Sequence, residues 1–457
     1  MPASTAQQLV ALIGQAVQEI EADIGTQIPG GTISNLNLPI VAREDGLEAS
    51  GRRREGLKTL QAATHQLLST LMPSDLYIFD TYASFFQKTA IDTVVGAGIP
   101  DLIHSLDPDA SQGGVHVQVL AQKTQMDSRK LSHILRFLAL RNIFCELTEN
   151  HWANNRHSFP LRTDSSNSVL NALGHMREEI ALPALVQLPQ LLLDKQADGA
   201  LSMDPQHSAF QKYYKPGCNF FEFLAKSDGG YRAERFGKAM FEMTQAIGTG
   251  EAVYQAFDWQ KLGPSGTLID VGGGVGAAAY ALSTYLPGWK VVVQDRAEVV
   301  KDGQENYQKI GSSTNLEFEE ADFFEDQPAR RCRGADAYFL RHVLHDWPFT
   351  PCVQILSRLR KAAKPTTSLL ICETVLNPPL TDPNSLILFN GGMASVSSYT
   401  RNLSMMTLVN AEERTQEQFV EILNKSGWKL QSVTPLATLA DYFMIEGIPD
   451  PSWKQED

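Results

Sequence analysis

The stretch Leu268-Ile-Asp-Val-Gly-Gly-Gly-Val-Gly276 decides how the rest of the chain is read. An apolar run ending at Val271 leads into Gly272, Gly274 and Gly276, and a helical run from Ala277 to Tyr285 follows. Glycines at a strand end permit a tight turn and let backbone approach a ligand. The spacing Gly272-x-Gly274-x-x-Ala277 also meets the dinucleotide pattern with alanine in the last position. The plainer reading is a tight strand-to-helix turn with no ligand.

Working outward, Lys290–Gln294, Leu316–Phe318, Ala337–Leu340 and Leu369–Cys372 are further short apolar strands, several separated by helical stretches. That alternation predicts a parallel sheet with crossover helices, an α/β fold. The end differs. A helix over 416–425 stops at Gly427, and strands near 428–434 and 441–446 predict a terminal antiparallel hairpin.

Upstream, the pattern divides into 1–75, a helical arm; 76–165, a small mainly helical domain; 166–260, helical runs broken by Pro183, Pro189, Pro205 and Pro216; and 261–457, the α/β domain. In the arm, Leu9, Leu12, Ile13, Val17 and Ile20 mark one helix face, and Leu57, Leu60, Ala63, Leu67 and Leu71 mark another. Ile28–Pro39 between them reads as a loop. The arm has no core of its own, so its apolar face is expected against a partner subunit or the next domain. Within 76–165, helices are expected over Tyr82–Gly98, over Val117–Thr124 and after an Asp127 cap. A hairpin at Ile143–Leu147 and His151–Ala153 completes a winged-helix pattern. Arg235 to Tyr254 reads as one long helix with Phe236, Met240, Met243 and Ile247 on one face.

Composition narrows the function classes. The chain carries 39 Lys+Arg against 52 Asp+Glu, a formal charge of −13, which disfavours nucleic acid and anionic membranes. Five widely spaced cysteines without a C-x-x-C pair suggest neither a disulfide framework nor a zinc site. The N-terminal residues lack the pattern of a secretory signal, and no apolar run approaches the roughly 18–20 residues that cross a bilayer. A cytoplasmic protein is the expectation, with no metal.

The acids after the loop refine the ligand. Asp295 ends the second strand, where a carboxylate can accept from ribose hydroxyls. Asp322 and Phe323 follow the third, where acid and ring suit an adenine. Helix capping is the plainer role for both acids. Asp270, directly before the glycines, suits a cationic ammonium and sulfonium better than a pyrophosphate.

Phe339-Leu-Arg-His-Val-Leu-His-Asp-Trp347 closes the fourth strand, where open α/β sheets place their chemistry. There His345 is a candidate base for a phenol, whose pKa is about 10; a packed structural histidine is the alternative. Glu373 at the fifth strand end and Glu413 before the last helix are carboxylates able to orient it, with Glu412 equally open on spacing. Asp346 and Thr350-Pro351 read as helix-start chemistry, and Thr415 with Gln418 as a capping box.

Together, Leu268–Gly276, Gln294-Asp295, Ala321-Asp322-Phe323-Phe324, His345-Asp-Trp347, Glu373 and Glu413-Arg-Thr415 resemble, in order and spacing, the S-adenosylmethionine-dependent O-methyltransferases of plant phenolic and fungal secondary metabolism. The resemblance runs from about residue 80 to 448, with more of the fungal style. It implies a Rossmann-like class I methyltransferase domain, a mostly parallel seven-stranded sheet with a terminal antiparallel hairpin, plus an N-terminal mainly α winged-helix domain used for homodimerisation. It implies His345, Glu373 and Glu413 as the catalytic set. Asp270, Gly272, Gly274, Gly276, Asp295, Asp322, Phe323 and Arg341 would hold S-adenosyl-L-methionine. Phe236, Met243 and Met405, with Met406, would line the pocket for a small phenolic or polyketide acceptor. Asn402 departs from the Asp that relatives often carry, which touches acceptor contacts and not cofactor binding. Two other functions remain open: an S-adenosylmethionine-binding pericyclase or dehydratase of the same fold, and a winged-helix regulator.

Overall fold

A computed structural model describes residues 3–29, 31, 33, 36, 50–195, 198–247, 253, 257–310, 315–331, 334–438 and 440–454. Two compact units emerge, one of Met1–Glu178, Ser227–Ala246 and Pro379–Ala394, the other of Glu179–Lys226, Ile247–Pro378 and Ser395–Asp457.

In the first unit, a capping box between Ser4 and Gln7 starts the helix Thr5–Gln27. This helix packs on a second, Gly51–Leu71. Leu9, Ala16, Ile20, Ala62 and Ala63 are buried. The approach is close because Gly56 faces the first helix: a Cβ there would lie 3.1 Å from Ile20 Cγ1 and 3.3 Å from the Ala16 carbonyl oxygen. The arm therefore covers part of its apolar face internally, while Leu71 on the expected stripe of the second helix stays 65% exposed. Most of the Ile28–Pro39 loop lies outside the described residues. The helix expected over Tyr82–Gly98 is shorter, Phe85–Gly96, and a separate helix, Ser74–Tyr82, precedes it. Between them the Ser84 N–H turns back to the Thr81 carbonyl, an i→i+3 step that redirects the chain. No glycine or proline marks this break, so periodicity could not find it.

Asp127 caps Ser128–Ala139 by accepting from the Arg129 and Lys130 N–H groups, as its sequence position predicts. That helix and Val117–Thr124 share a core of Leu120, Leu131, Leu135, Leu138, Phe144 and Trp152. Strands β1 (Val115–His116), β2 (Cys145–Thr148) and β3 (His151–Ala153) form a small sheet in the order β1-β3-β2. The long helix is Tyr231–Ile247. Its buried Arg235 pairs with Glu178 at 2.9 Å. Tyr254, the expected end of this helix, lies outside the described residues.

The second unit holds a seven-stranded sheet: β4 (Gly266–Val271), β5 (Trp289–Asp295), β6 (Leu316–Glu320), β7 (Ala337–Arg341), β8 (Ser368–Thr374), β9 (Trp428–Pro435) and β10 (Tyr442–Pro449). The order is β6-β5-β4-β7-β8-β10-β9. β4 to β8 pair in parallel, while β10 runs antiparallel to both β8 and β9. Successive residues serve opposite faces. Leu268, Val291, Val293, Phe339 and Leu370 pack on one side, and Ile269, Val292, Tyr338, Leu340 and Ile371 on the other. Both faces are buried, which is why these strands read as unbroken apolar runs and not as alternations. Strand order reverses between β5-β4 and β4-β7, so the carboxyl ends of β4, β5, β7 and β8 flank a switch point. Every motif residue considered below at a strand end is there.

Candidate functional site

The glycines leaving β4 serve three different needs. All take left-handed backbone, with φ of +67°, +59° and +84° at Gly272, Gly274 and Gly276. A Cβ on Gly276 would strike the Phe318 ring at 2.9 Å, so this glycine serves helix-to-sheet packing. A Cβ on Gly272 would meet Val343 at 3.0 Å and Phe323 at 3.4 Å. A Cβ on Gly274 would meet nothing within 4 Å, so this glycine borders open space. Its N–H donates to Asp295 Oδ2 at 2.8 Å, and Asp295 Oδ1 accepts from the Arg296 N–H at 2.8 Å. Burial raises the Asp295 carboxyl, with these two bonds opposing it. Asp295 thus anchors the loop, a role its sequence position did not disclose.

Asp270 lies beneath the loop. A Cβ on Gly273 would come within 2.6 Å of its Oδ2. The carboxyl is buried, and that oxygen has no hydrogen-bond partner among the described residues. Burial pushes Asp270 up to about 7, against the nearby Arg341 charge. In its ionised form this buried carboxyl beside the loop favours a cationic ligand over a pyrophosphate. Phe323 sits half-buried beside Gly272, edge-on to Trp347 with ring centroids 6.0 Å apart. Asp322 is exposed, and its Oδ1 accepts from the Phe324 N–H at 2.9 Å. The plainer role, shaping the turn, is thus present at Asp322.

Beyond β7 the chain makes a buried turn whose backbone groups need partners. Glu373 Oε1 accepts from both the Val343 and Leu344 N–H groups at 2.9 Å. From the other side the Arg414 guanidinium donates to the Leu344 carbonyl at 2.8 Å and to that of Trp347. The turn presents His345, whose Nδ1 lies 2.9 Å from Glu413 Oε1 and 3.7 Å from Glu373 Oε2. A carboxylate so placed fixes the proton on Nδ1 and leaves Nε2 as the acceptor atom. The nearest carboxylate to Nε2 is Asp346 Oδ1, at 3.7 Å.

The electrostatics follow from this crowding. Burial disfavours a charged imidazole, but Glu373, Glu413 and Asp346 outweigh it and push His345 up to about 10. Burial likewise pushes Glu373 up to about 7, opposed by His345, and Asp346 up to about 6. Donor atoms of His345, Glu373 and Glu413 all lie within 4.8 Å of one another, a spacing that a divalent ion could also use. The His345–Glu413 hydrogen bond and such an ion would compete for atoms of those two side chains.

One open choice closes here and two readings change. Glu413, the expected acid, lies at His345, while the alternative Glu412 lies 3.8 Å from Arg414 Nε. Asp346 is not a helix cap. The next helix, Phe349–Ala362, has Pro348 at its cap, and Asp346 belongs to the carboxylate cluster. Asn402 Oδ1 accepts from the Glu413 N–H at 2.9 Å, so it holds the catalytic candidate in place. Sequence reasoning also missed His342, Arg401 and Tyr442. His342 has a φ of +54° and stacks on His345, ring centroids 5.4 Å apart. Burial holds it well below the usual imidazole range, reinforced by Arg341, His345 and Arg401. These three come from a turn, a helix and a strand, and no spacing rule links them. Met405 is half-buried on the helix Val396–Val409. Phe236 and Met243 lie on Tyr231–Ile247 in the first unit; Phe236 packs edge-on against His175, centroids 5.2 Å apart.

Comparison with known proteins follows the same lines. A profile of the O-methyltransferase domain matches residues 196–429. Over 466 aligned residues the chain is 30% identical to O-methyltransferase tpcA of Aspergillus fumigatus, covering 92% of each. Over 415 residues it is 31% identical to O-methyltransferase gedA of Aspergillus terreus, covering 82% of this chain and 83% of that one. Among solved structures, the O-methyltransferase NcsB1 from neocarzinostatin biosynthesis, in complex with S-adenosyl-L-homocysteine and 1,4-dihydroxy-2-naphthoic acid, superposes with a TM-score of 0.59 at 20% identity. That superposition covers 81% of this chain and 98% of NcsB1.

Proposed function

The chain belongs to the O-methyltransferase family, and from that premise we propose that it moves a methyl group from S-adenosyl-L-methionine to a hydroxyl of a phenolic or polyketide-type small molecule, with His345 as general base. The observation that carries this is the Nδ1 contact of His345 with Glu413 at 2.9 Å, which leaves Nε2 to take a proton. S-adenosyl-L-methionine supplies an activated methyl on a sulfonium. The protein's part is to hold, align and deprotonate, which suffices for an in-line transfer. Asp270 offers its unsatisfied oxygen to positive charge, and Gly272, Gly274 and Gly276 shape the cradle. Asp295, Asp322, Phe323 and Arg341 complete the donor site. No metal enters this chemistry. The bound pair in NcsB1, a spent methyl donor and an aromatic diol, is of the same chemical kind.

A charge-assisted rearrangement in the same fold would need no oriented base, and the buried His345, Glu373 and Glu413 set therefore favours transfer. A regulator reading gains nothing from a chain at −13. The test is incubation with methyl-labelled S-adenosyl-L-methionine and a phenol panel, with products read by mass spectrometry. A labelled methyl ether supports the proposal; tight cofactor binding without any methylated product overturns it.

Asp295→Ala should weaken S-adenosyl-L-methionine binding by about 1.5–3 kcal/mol, the worth of hydrogen bonds to a charged group. The same change frees the Gly274 N–H, so the loop loses its anchor too. Calorimetry showing undiminished affinity would remove Asp295 from the donor site.

The proposed functional division keeps 1–75 as arm, 76–165 as a winged-helix dimerisation domain, 166–260 as linker and pocket helices and 261–457 as the catalytic domain of a cytoplasmic homodimer in secondary metabolism. Among the described residues no helix is long and apolar enough to cross a membrane. The dimer reading rests on Ser74–Tyr82, a nine-residue helix without one buried side chain, where Ile78, Phe79 and Tyr82 are 62%, 70% and 82% exposed. Such a patch on a soluble chain calls for a partner. Light scattering should give twice the chain mass, and Phe79→Asp should shift it toward monomer.

A further inference from the structure

On the reading of His345 as proton acceptor, we propose that Arg401 is a positioning residue that tunes the basicity of His345 through Glu413. The geometry is a chain of contacts through one oxygen. Glu413 Oε1, 2.9 Å from His345 Nδ1, also lies 3.9 Å from Arg401 Nε. A single carboxylate oxygen thus faces an imidazole on one side and a guanidinium on the other.

Arg401 is held so that it must stay there. Its side chain is 11% exposed. Its Nη1 donates to Thr374 Oγ1 at 2.6 Å, and its Cζ stands 4.7 Å from the Tyr442 ring centroid. Thr374 and Tyr442 are directly opposite each other across the β8–β10 pair. A cross-strand pair therefore clamps the guanidinium, one residue offering a hydroxyl and the other a ring face. The next residue, Asn402, accepts from the Glu413 N–H at 2.9 Å. One helix, Val396–Val409, thereby fixes both the backbone and the charge environment of Glu413.

The need for this arrangement lies in the charge balance at His345. Glu373 faces it from β8, Glu413 from the turn before Gln416–Lys425, and Asp346 from its own turn; Arg414 binds the carbonyls of that turn, and His342 stacks on the ring. Three carboxylates stabilise the imidazolium and so oppose release of its proton. A base must shed that proton after each turnover. A guanidinium competing for Glu413 Oε1 weakens the hold of the nearest carboxylate on the imidazole, and as a like charge it disfavours the imidazolium directly. Arginine keeps its charge at every working pH, so its influence does not itself titrate.

The test follows the His345 ring in the cofactor-free protein by histidine-selective isotope labelling and NMR, with the resonance assigned by its loss in His345→Gln. Between about pH 8 and 10, Arg401→Met should lower the ratio of neutral to charged imidazole about tenfold, an upward move of about one pH unit. Arg401→Lys, which keeps the charge, should restore most of it. In turnover assays the acid limb of the kcat profile should move alkaline in step. A merely structural Arg401 would lower stability and rate at every pH and leave the titration in place; an unmoved titration in folded Arg401→Met overturns the proposal. Should that variant not fold, Thr374→Val releases the clamp while keeping the guanidinium. It is expected to move the titration in the same direction, and no movement there is equally fatal. A shifted titration in a protein that methylates no phenol would uphold the coupling and sink only the transferase reading.

Discussion

His345→Ala should lower turnover by about 10²–10⁴-fold, the usual contribution of a general base, and leave the affinity for S-adenosyl-L-methionine nearly unchanged. The two effects separate because most residues of the proposed donor site stand at the ends of β4, β5 and β6, with Arg341 alone on β7, whereas His345 lies on the turn beyond β7 and is oriented from β8 and the 411–415 turn. Either reading costs stability, but if His345 only packed the strand end, alanine would weaken cofactor binding as well. A folded His345→Ala protein that methylates a phenol at near the wild-type rate refutes the assignment. The pH profile of the wild type is a second check. With the imidazole pushed up to about 10, the neutral form is the minor one at pH 7. The rate should therefore climb with pH through neutrality, about tenfold per unit until the base is free. Stability runs the other way. A histidine raised above its ordinary 6.5 contributes stability that is fully present below that value and is lost as pH rises through about 10. His345→Ala removes that slope and leaves Glu373 and Glu413 buried without their cation, a costly arrangement that protonation of a carboxylate relieves.

Most of the catalytic domain was legible because its signals are local. A glycine loop must follow a strand, and β4 to β8 carry apolar runs bounded by turns, so the fold class and the strand-end positions of His345 and Glu373 follow from spacing alone. Asp127 and Thr415 were equally plain, since a cap and its helix are neighbours in sequence. What stayed hidden depends on distant chain. Arg401 reaches Glu413 across twelve residues of sequence and a change of element, and Asn402 reads as a departure until its bond to the Glu413 backbone is seen. Asp346 was misread for the opposite reason: its position before a helix offered a sufficient local explanation, and the buried cluster that claims it has no local signature. The break at Ala83–Ser84 was missed because neither residue interrupts an apolar pattern. Glu373 was legible in position and not in task. Its spacing suggested a partner for the imidazole, yet its Oε1 serves the turn that carries the imidazole.

That task makes Glu373→Ala the more damaging change for folding. Alanine strands two buried N–H groups, at Val343 and Leu344, each worth about 1–3 kcal/mol when left unsatisfied. The expected loss is about 2–6 kcal/mol, enough to unfold a marginal protein. Glutamine keeps a carbonyl oxygen for the same two donors and should lose much less. It also lowers turnover less than His345→Ala, because the base stays in place while one of its carboxylates is neutralised. The two variants differ again in pH dependence. Burial pushes the Glu373 carboxyl from 4.5 up to about 7, with His345 opposing it. Between those values the folded protein keeps a proton that the unfolded chain has released, so this group makes stability fall as pH rises. Glu373→Gln has no such proton to lose. Urea melts at pH 5 and pH 8 should therefore show the glutamine variant gaining on the wild type at the higher pH, while the alanine variant stays the least stable at both. Equal midpoints for alanine and glutamine at both pH values would mean that Glu373 does not hold the turn, and the placing of His345 would need another cause.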